Sequence, residues 1–471
     1  MRTIVWFRGK DLRIADHEPL AKAAKRGEVI PLFVLDPYFF AKERARELPH
    51  RIQCLLASLA ELAGTIASLG SKLLVVEGKS VDVVPRLARA LEADCVMAYR
   101  WSEPVGRERD RRVAEALGDV AFELEEGETL ARPGELLTGS GTPFAVFSPF
   151  ARAFAKNVTI DAPKRAPRSL PPLPRLPPLP RGVREVPIPT PEDLGIETNP
   201  AIVSGGEAAA RARLARFVRG GARTYHETRD RLDLDGTSRL SQDLKFGTLS
   251  ARTVWTAAHR ALEDAPRAWR SFSNELVWRE FAYDVLRSRP DVLEVPFKRV
   301  WERFRWRRDE RGWEAWVTGK TGYPVVDASA RQLLAEGFVP NRARMISASF
   351  LTKHLMIDFR RGEAHYLRYL TDGDWANNDL GWQWSAGCGV DAQPWFRVFN
   401  PVAQGEKFDP EGAWVRRWIP ELEQVDAKYI HRPWEAPTPP RRYPSPIVTH
   451  AMARGRFLAA AAALAEPEKS A

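Results

Sequence analysis

The chain has 471 residues, with 71 Lys and Arg against 61 Asp and Glu, a formal charge of +10, 44% hydrophobic and 28% charged residues. That length corresponds to two or three domains at roughly 150 residues each, and the ordinary composition excludes a collagen-like repeat and wholesale disorder. The longest apolar run, FLAAAAALA at 457–465, is far too short for a membrane span, the N-terminus lacks the hydrophobic region of a secretion signal, and the three scattered cysteines form neither a disulfide framework nor a zinc motif. A reducing, cytoplasmic setting and no membrane partner are expected, and the positive balance favours a polyanionic partner.

The first ~130 residues alternate short apolar runs with helical patterns. Strands are expected at Thr3–Phe7, Val29–Leu35, Lys72–Glu77, Cys95–Tyr99 and Val120–Leu124, with helices at Pro19–Lys25, Arg51–Leu69 and Val81–Ala93. This order predicts an α/β domain over 1–130 built on a doubly wound parallel sheet, which binds ligands beyond the carboxyl ends of its strands. No GxGxxG follows the first strand, so a standard NAD enzyme is disfavoured. Residues 131–204 read as an interdomain connector, extended over 163–200 where 12 of the 37 prolines fall. From 205 to 471 the pattern is helical, with segments at Glu207–Arg219, Ala251–Leu262, Ala268–Arg287, Val325–Leu334, Arg342–Phe359 and Glu363–Leu370. Of the 16 tryptophans, all but Trp6 and Trp101 lie in this second half.

Several segments carry chemistry. Thr237-Ser238-Arg239-Leu240-Ser241 offers hydroxyls and a guanidinium suited to a phosphate, or simply a helix cap. Glu275, Trp278 and Arg279 share a helix face, joining an acid, a flat ring and a cation. Arg342 and Arg344 point to different sides of another helix. The densest group, Asp372 to Trp384, crowds carboxylates and amides onto a turn before Trp-Gln-Trp, whose indoles suit stacking on bases or a planar cofactor. Arg299–Arg308 interleaves basic and aromatic residues, as a phosphate-tracking groove or a solvated helix face does. No His cluster has metal-ligand spacing and no GxSxG or P-loop occurs, so no metal is expected and hydrolase or NTPase chemistry loses ground.

Taken together, VWFR and DLR (Val5–Arg8, Asp11–Arg13), GTSRLS (Gly236–Ser241), NELVWREF (Asn274–Phe281), TGYPVVDA (Thr321–Ala328), NRARM (Asn341–Met345), DGDWANN and GWQW (Asp372–Asn378, Gly381–Trp384) and FNPVAQGEKFD (Phe399–Asp409) resemble the photolyase/cryptochrome family, most closely the bacterial cyclobutane pyrimidine dimer photolyases. The resemblance implies an all-α C-terminal domain that binds FAD and UV-damaged DNA, and an antenna chromophore in the α/β domain, 5,10-methenyltetrahydrofolate ahead of a deazaflavin. It implies light-driven dimer repair by electron transfer from reduced FAD, the alternative being a cryptochrome-type photoreceptor, in a monomer with no obligate protein partner. Tyr225, Thr237, Ser238, Leu240 and Ser241 would hold the FAD phosphates and ribityl chain. Arg344, Asp372 and Asp374 would line the isoalloxazine and adenine side. Asn378 would face flavin N5, where plant cryptochromes carry a carboxylate, so the amide argues for repair over sensing. Glu275 would hydrogen-bond the damaged base, Asn341 and Arg342 would meet the lesion and its phosphate, Met345 would pack beneath it, and Trp278 and Trp384 would stack on it. The histidine pair of (6-4) enzymes has no counterpart in Val339–Arg342. Trp382 and Trp306 match the inner and outer members of the family's three-tryptophan reduction path, but Phe359 stands at the middle one, so photoreduction is expected to be slow or to detour through another aromatic such as Trp384 or Trp395. Asp379 and Phe338 also depart from well-known relatives, and residues 99–112 lack a clear Asn-Glu pair for folate.

Overall fold

A computed structural model describes residues 1–392 and 394–464. Five parallel strands, β1 (Arg2–Phe7), β2 (Glu28–Leu35), β3 (Leu74–Glu77), β4 (Cys95–Tyr99) and β5 (Ala121–Glu125), form one sheet in the order β3-β2-β1-β4-β5. Strand side chains alternate between two apolar layers. Val5, Phe7, Phe33 and Met97 pack against Leu55, Leu59 and Leu62 of the helix Pro49–Ser68. Ile4, Trp6, Leu32 and Val96 pack against Val84 and Leu87 of the helix Ser80–Ala90 and Val113 of the helix Pro104–Leu117. The strand order reverses between β1 and β4, the switch point at which such sheets open a crevice.

The helix Pro104–Leu117 escapes the sequence pattern because its apolar stripe is thin. Gly106, Asp110, Val113 and Leu117 are its buried positions, and one of them is a carboxylate held by Arg8, 2.6 Å away. Between the sheet and the helical body, Phe147–Asn157 forms a helix and the proline-rich stretch runs largely without regular structure. The stretch expected as one helix over Arg342–Phe359 is divided. Asn341–Ser349 is α-helical, Phe350–His354 is a π-turn, Met356 takes a positive φ of 55°, and Asp358 caps a new helix, Phe359–Tyr369. Helical spacing of the apolar residues does not reveal such a break, because the cap is a single residue.

The two domains are joined by buried charge. Lys10 from the sheet domain reaches Glu103 at 2.8 Å, Glu128 in close contact, and Asp374 of the helical domain at 3.7 Å. Asp16 receives Arg252 at 2.8 Å and the Ser250 hydroxyl at 2.6 Å. Gly247 sits at φ 60°, where a Cβ would lie 1.9 Å from the Lys10 carbonyl, so only glycine allows this approach.

Candidate active site

A cavity of about 490 Å³ opens in the helical domain. One wall is the loop before the short helix Ser241–Phe246. Arg239 adopts a positive φ of 51° there, and its guanidinium is drawn away to Glu336 at 3.0 Å. Leu240, rather than Thr237 or Ser238, takes the N-cap position of that helix, so the capping alternative does not apply and both hydroxyl residues line the cavity with Ser241 and Tyr225. Arg239 lines it too, but as an ion-paired residue lying over the Phe338 ring rather than as a free cation.

The second wall comes from the helix Pro266–Ser288, where Glu275, Trp278 and Arg279 all reach the cavity, as their helical spacing requires. Glu275 is half-buried and receives Arg229 at 2.6 Å. Burial pushes its pKa up, opposed by that guanidinium. Trp278 is stacked face to face on Phe147, centroids 3.7 Å apart, which fixes its indole plane. The third wall is the helix Asn341–Ser349. Asn341 is exposed at its first turn, Arg342 pairs with Asp230 at 2.7 Å, and Met345 lies one turn on from Asn341, all at the cavity. Arg344 turns the other way, donating to the Val339 carbonyl at 2.7 Å and to Asp372 at 2.8 Å.

The floor is the helix Trp375–Ala386, so Trp-Gln-Trp stands on a helix and not on the turn itself. Asp374 is its N-cap, accepting from the Asn377 amide at 3.0 Å and from the Tyr283 hydroxyl at 2.6 Å. Burial alone would raise the Asp374 pKa, but Lys10, Lys245 and Arg279 overcome it and hold the carboxylate ionised. Two residues apart on a helix, Trp382 and Trp384 diverge, one buried and one half-exposed, yet both border the cavity. Asn378 projects from the same floor and donates to the Glu363 carbonyl at 3.2 Å. Behind it, Asp379 and Glu363 are both buried with raised pKa values. Desolvation is the main cause in each, and the Asp379 value reaches about 7. Trp306 and Phe359 are not among the lining residues.

Every cofactor- and lesion-binding residue expected from the sequence therefore meets at one cavity. Sequence reasoning missed Arg229 and Asp230, the partners of Glu275 and Arg342, and it missed Lys10, Lys245 and Tyr283, which set the charge of Asp374. The DLR and TGYP-type motifs gave no hint of these pairings, because each joins segments far apart in the chain. The basic-aromatic run at Arg299–Arg308 takes the plainer course. Trp301 and Phe304 are core, while Arg299 pairs with Asp291 and Glu302 on the surface.

The cavity's donor set fits FAD. Its hydroxyls suit a pyrophosphate, its arginine–aspartate pair and amide suit the edge of a flavin ring, and its indoles supply flat apolar surface. Buried polar atoms without a protein partner, Asp372 Oδ1, Arg239 Nε and Arg342 Nε, belong to cavity-lining residues and are suited to a polar ligand. Among the described residues no group of His, Cys, Asp and Glu could hold a metal, and no helix is long and apolar enough to cross a membrane.

Comparison with known proteins agrees with this reading. Residues 3–174 match the family described as DNA photolyase, and residues 272–463 match the FAD binding domain of DNA photolyase. A deoxyribodipyrimidine photo-lyase of Agrobacterium fabrum is 39% identical over 481 residues, covering 98% of each chain. The solved class III photolyase of Agrobacterium tumefaciens superposes with a TM-score of 0.90 at 38% identity, covering 98% of this chain and 97% of that one. A Synechocystis cryptochrome follows at 0.87 and 30%, covering 97% and 99%. With near-complete coverage at these identities, the chain belongs to the DNA photolyase family.

Proposed function

We propose that this protein is a deoxyribodipyrimidine photo-lyase, which uses blue or near-UV light and reduced FAD to split cyclobutane pyrimidine dimers in DNA. When bound, the excited reduced flavin supplies one electron to the dimer and regains it once the ring bonds have opened. The chain's own residues do the rest. Thr237, Ser238, Ser241 and Tyr225 would bind the phosphate and ribityl portion, Leu240 would pack against it, and Arg344, Asp372 and Asp374 would fix the ring system. Asn378 would offer the bound flavin an amide, which would tolerate the reduced anionic ring where a second carboxylate would repel it.

The lesion must leave the duplex to reach this depth, and its weak stacking and pairing make that easier, as the handling of such damage by photolyases illustrates in general. Trp278 and Trp384 offer stacking faces, and Met345 an apolar seat. Asn341 and Arg342 stand at the rim to meet the lesion and its phosphate. Glu275, with its raised pKa, is placed to share a proton with the damaged base and stabilise the charge it gains.

The single observation that carries this reading is the convergence of lesion-type residues (Glu275, Trp278, Met345, Trp384) and flavin-type residues (Ser238, Arg344, Asp372, Asn378) on one cavity. Asn378, in place of an acid, favours repair over a photoreceptor role. In the α/β domain, near the carboxyl ends of β1 and β4, Arg109 lies 4.4 Å from the Trp101 ring and Arg8 4.8 Å from Trp6. Illuminating a dimer-containing oligonucleotide with the reduced, FAD-loaded protein should restore intact thymines, with none restored in the dark. The same result in light and dark would refute the proposal.

A further inference from the structure

Four charged side chains on one side of the cavity form a chain of ion pairs. Glu275 receives Arg229 at 2.6 Å, and Asp230 receives Arg342 at 2.7 Å. The pairs are linked, because Arg229 Nε also lies 4.0 Å from Asp230 Oδ1. Two cations thus balance two carboxylates, and Asp230 is within reach of both cations. All four side chains are partly exposed, so each can turn without opening the core.

The backbone beneath Asp230 is tied down on both sides. The Arg229 amide closes the short helix Tyr225–Thr228 by donating to the Tyr225 carbonyl at 3.0 Å, and the Leu232 amide donates to the Phe408 carbonyl at 2.8 Å. The two guanidinium groups are freer. Arg229 lies 5.6 Å from the Tyr225 ring and Arg342 4.5 Å from the Phe408 ring, contacts that carry the stem while the head can pivot. Among the described residues the buried Arg342 Nε has no partner, which leaves one edge of its fork for another acceptor.

We propose that Asp230 positions Glu275 through an exchange of ion pairs: a phosphate of the damaged strand draws Arg342 off Asp230, Asp230 then takes Arg229, and Glu275 is left free to meet the base. This rests on the repair reading and adds how the carboxyl is released only once the lesion strand is in place. A phosphate offers Arg342 two oxygens that match its planar fork. When Arg342 turns, Asp230 becomes a partly buried carboxylate facing that phosphate, and like charges repel. Arg229 is the cation beside it. Tyr225, Arg229, Asp230 and Arg342 are the titratable and charged groups around Glu275, and burial already favours its protonated form. Losing Arg229 therefore lets Glu275 take up one proton from solvent and donate it in a hydrogen bond to the base. Charge stays balanced, with Arg342 on the phosphate, Arg229 on Asp230 and Glu275 neutral.

The test compares the reduced, FAD-loaded wild type with Asp230→Asn, which keeps the side chain's size and removes its charge. Arg342 then needs no release, so an oligonucleotide carrying one thymine dimer should bind about threefold tighter. Arg229 has no carboxylate to move to and stays on Glu275, so splitting yield per absorbed photon should fall about fivefold. Tighter binding with poorer splitting is not what a merely structural loss gives. In a Glu275→Ala background the same change should cost no further yield, because Asp230 acts through Glu275. Unchanged or weaker binding, an unchanged yield, or an added loss in the Glu275→Ala background would each overturn the exchange. Repair by the wild type in light is scored separately. Its absence would strike the repair reading, and the change in dimer affinity alone would then decide the exchange.

Discussion

The sheet domain and the helical domain each present a place where a flat cofactor could sit, and they treat it in opposite ways. At the switch point of the sheet, where topology alone predicts a ligand, Trp6, Arg8, Trp101 and Arg109 stack on one another, and Asp110 neutralises part of their charge. In the helical domain, where no topological rule applies, hydroxyls, amides and indoles converge on open space. Architecture marks where a ligand is permitted, and the side chains there decide which chemistry can meet it.

Breaking the joint between the two regions should have the largest effect. Lys10→Met strands Glu103, Glu128 and Asp374 as buried carboxylates. A loss of about 3–5 kcal/mol is expected in chemical denaturation, together with weaker FAD retention, because Asp374 borders the cavity. Next is Glu280, whose carboxylate accepts the Leu130 and Ala131 amides and whose pKa is pushed up by burial to about 7, despite Arg279. Its folded pKa lies above its unfolded value, so it favours folding at low pH and that contribution is lost as pH rises through about 7. Glu280→Gln should therefore remove up to about 3 kcal/mol of pH dependence between pH 4.5 and 7.5, measured as denaturation midpoints across that range.

A sharper probe of the cavity is Glu275→Ala, expected to lower splitting yield per absorbed photon about tenfold while dimer affinity changes little. Equal losses in both, compared by quantum yield and binding titration, would assign Glu275 to docking rather than charge stabilisation. The smallest effect is expected from Phe359→Trp. An indole restored at 359, where the present ring lies 6.2 Å from Trp306, should raise the rate of flavin photoreduction about twofold, followed by the loss of oxidised-flavin absorbance.

Much of this was readable from the chain. The strands were found because parallel strands buried on both faces are nearly continuous apolar runs, as in Val29–Leu35. The cavity residues were found because they sit in contiguous motifs. What stayed hidden depends on contacts between distant segments or on single-residue punctuation. The helix Pro104–Leu117 hides behind RERDRR, the break at Met356–Asp358 interrupts an apolar run, and the Arg229–Glu275 and Lys10–Asp374 pairs join positions 46 and 364 residues apart.

The central claim, that flavin and flipped dimer share one cavity at electron-transfer range, is tested most directly by the emission of the reduced holoenzyme. Adding an oligonucleotide with a single thymine dimer should quench the reduced flavin's fluorescence, and the undamaged strand should not. Quenching by both strands alike, or by neither, would contradict it.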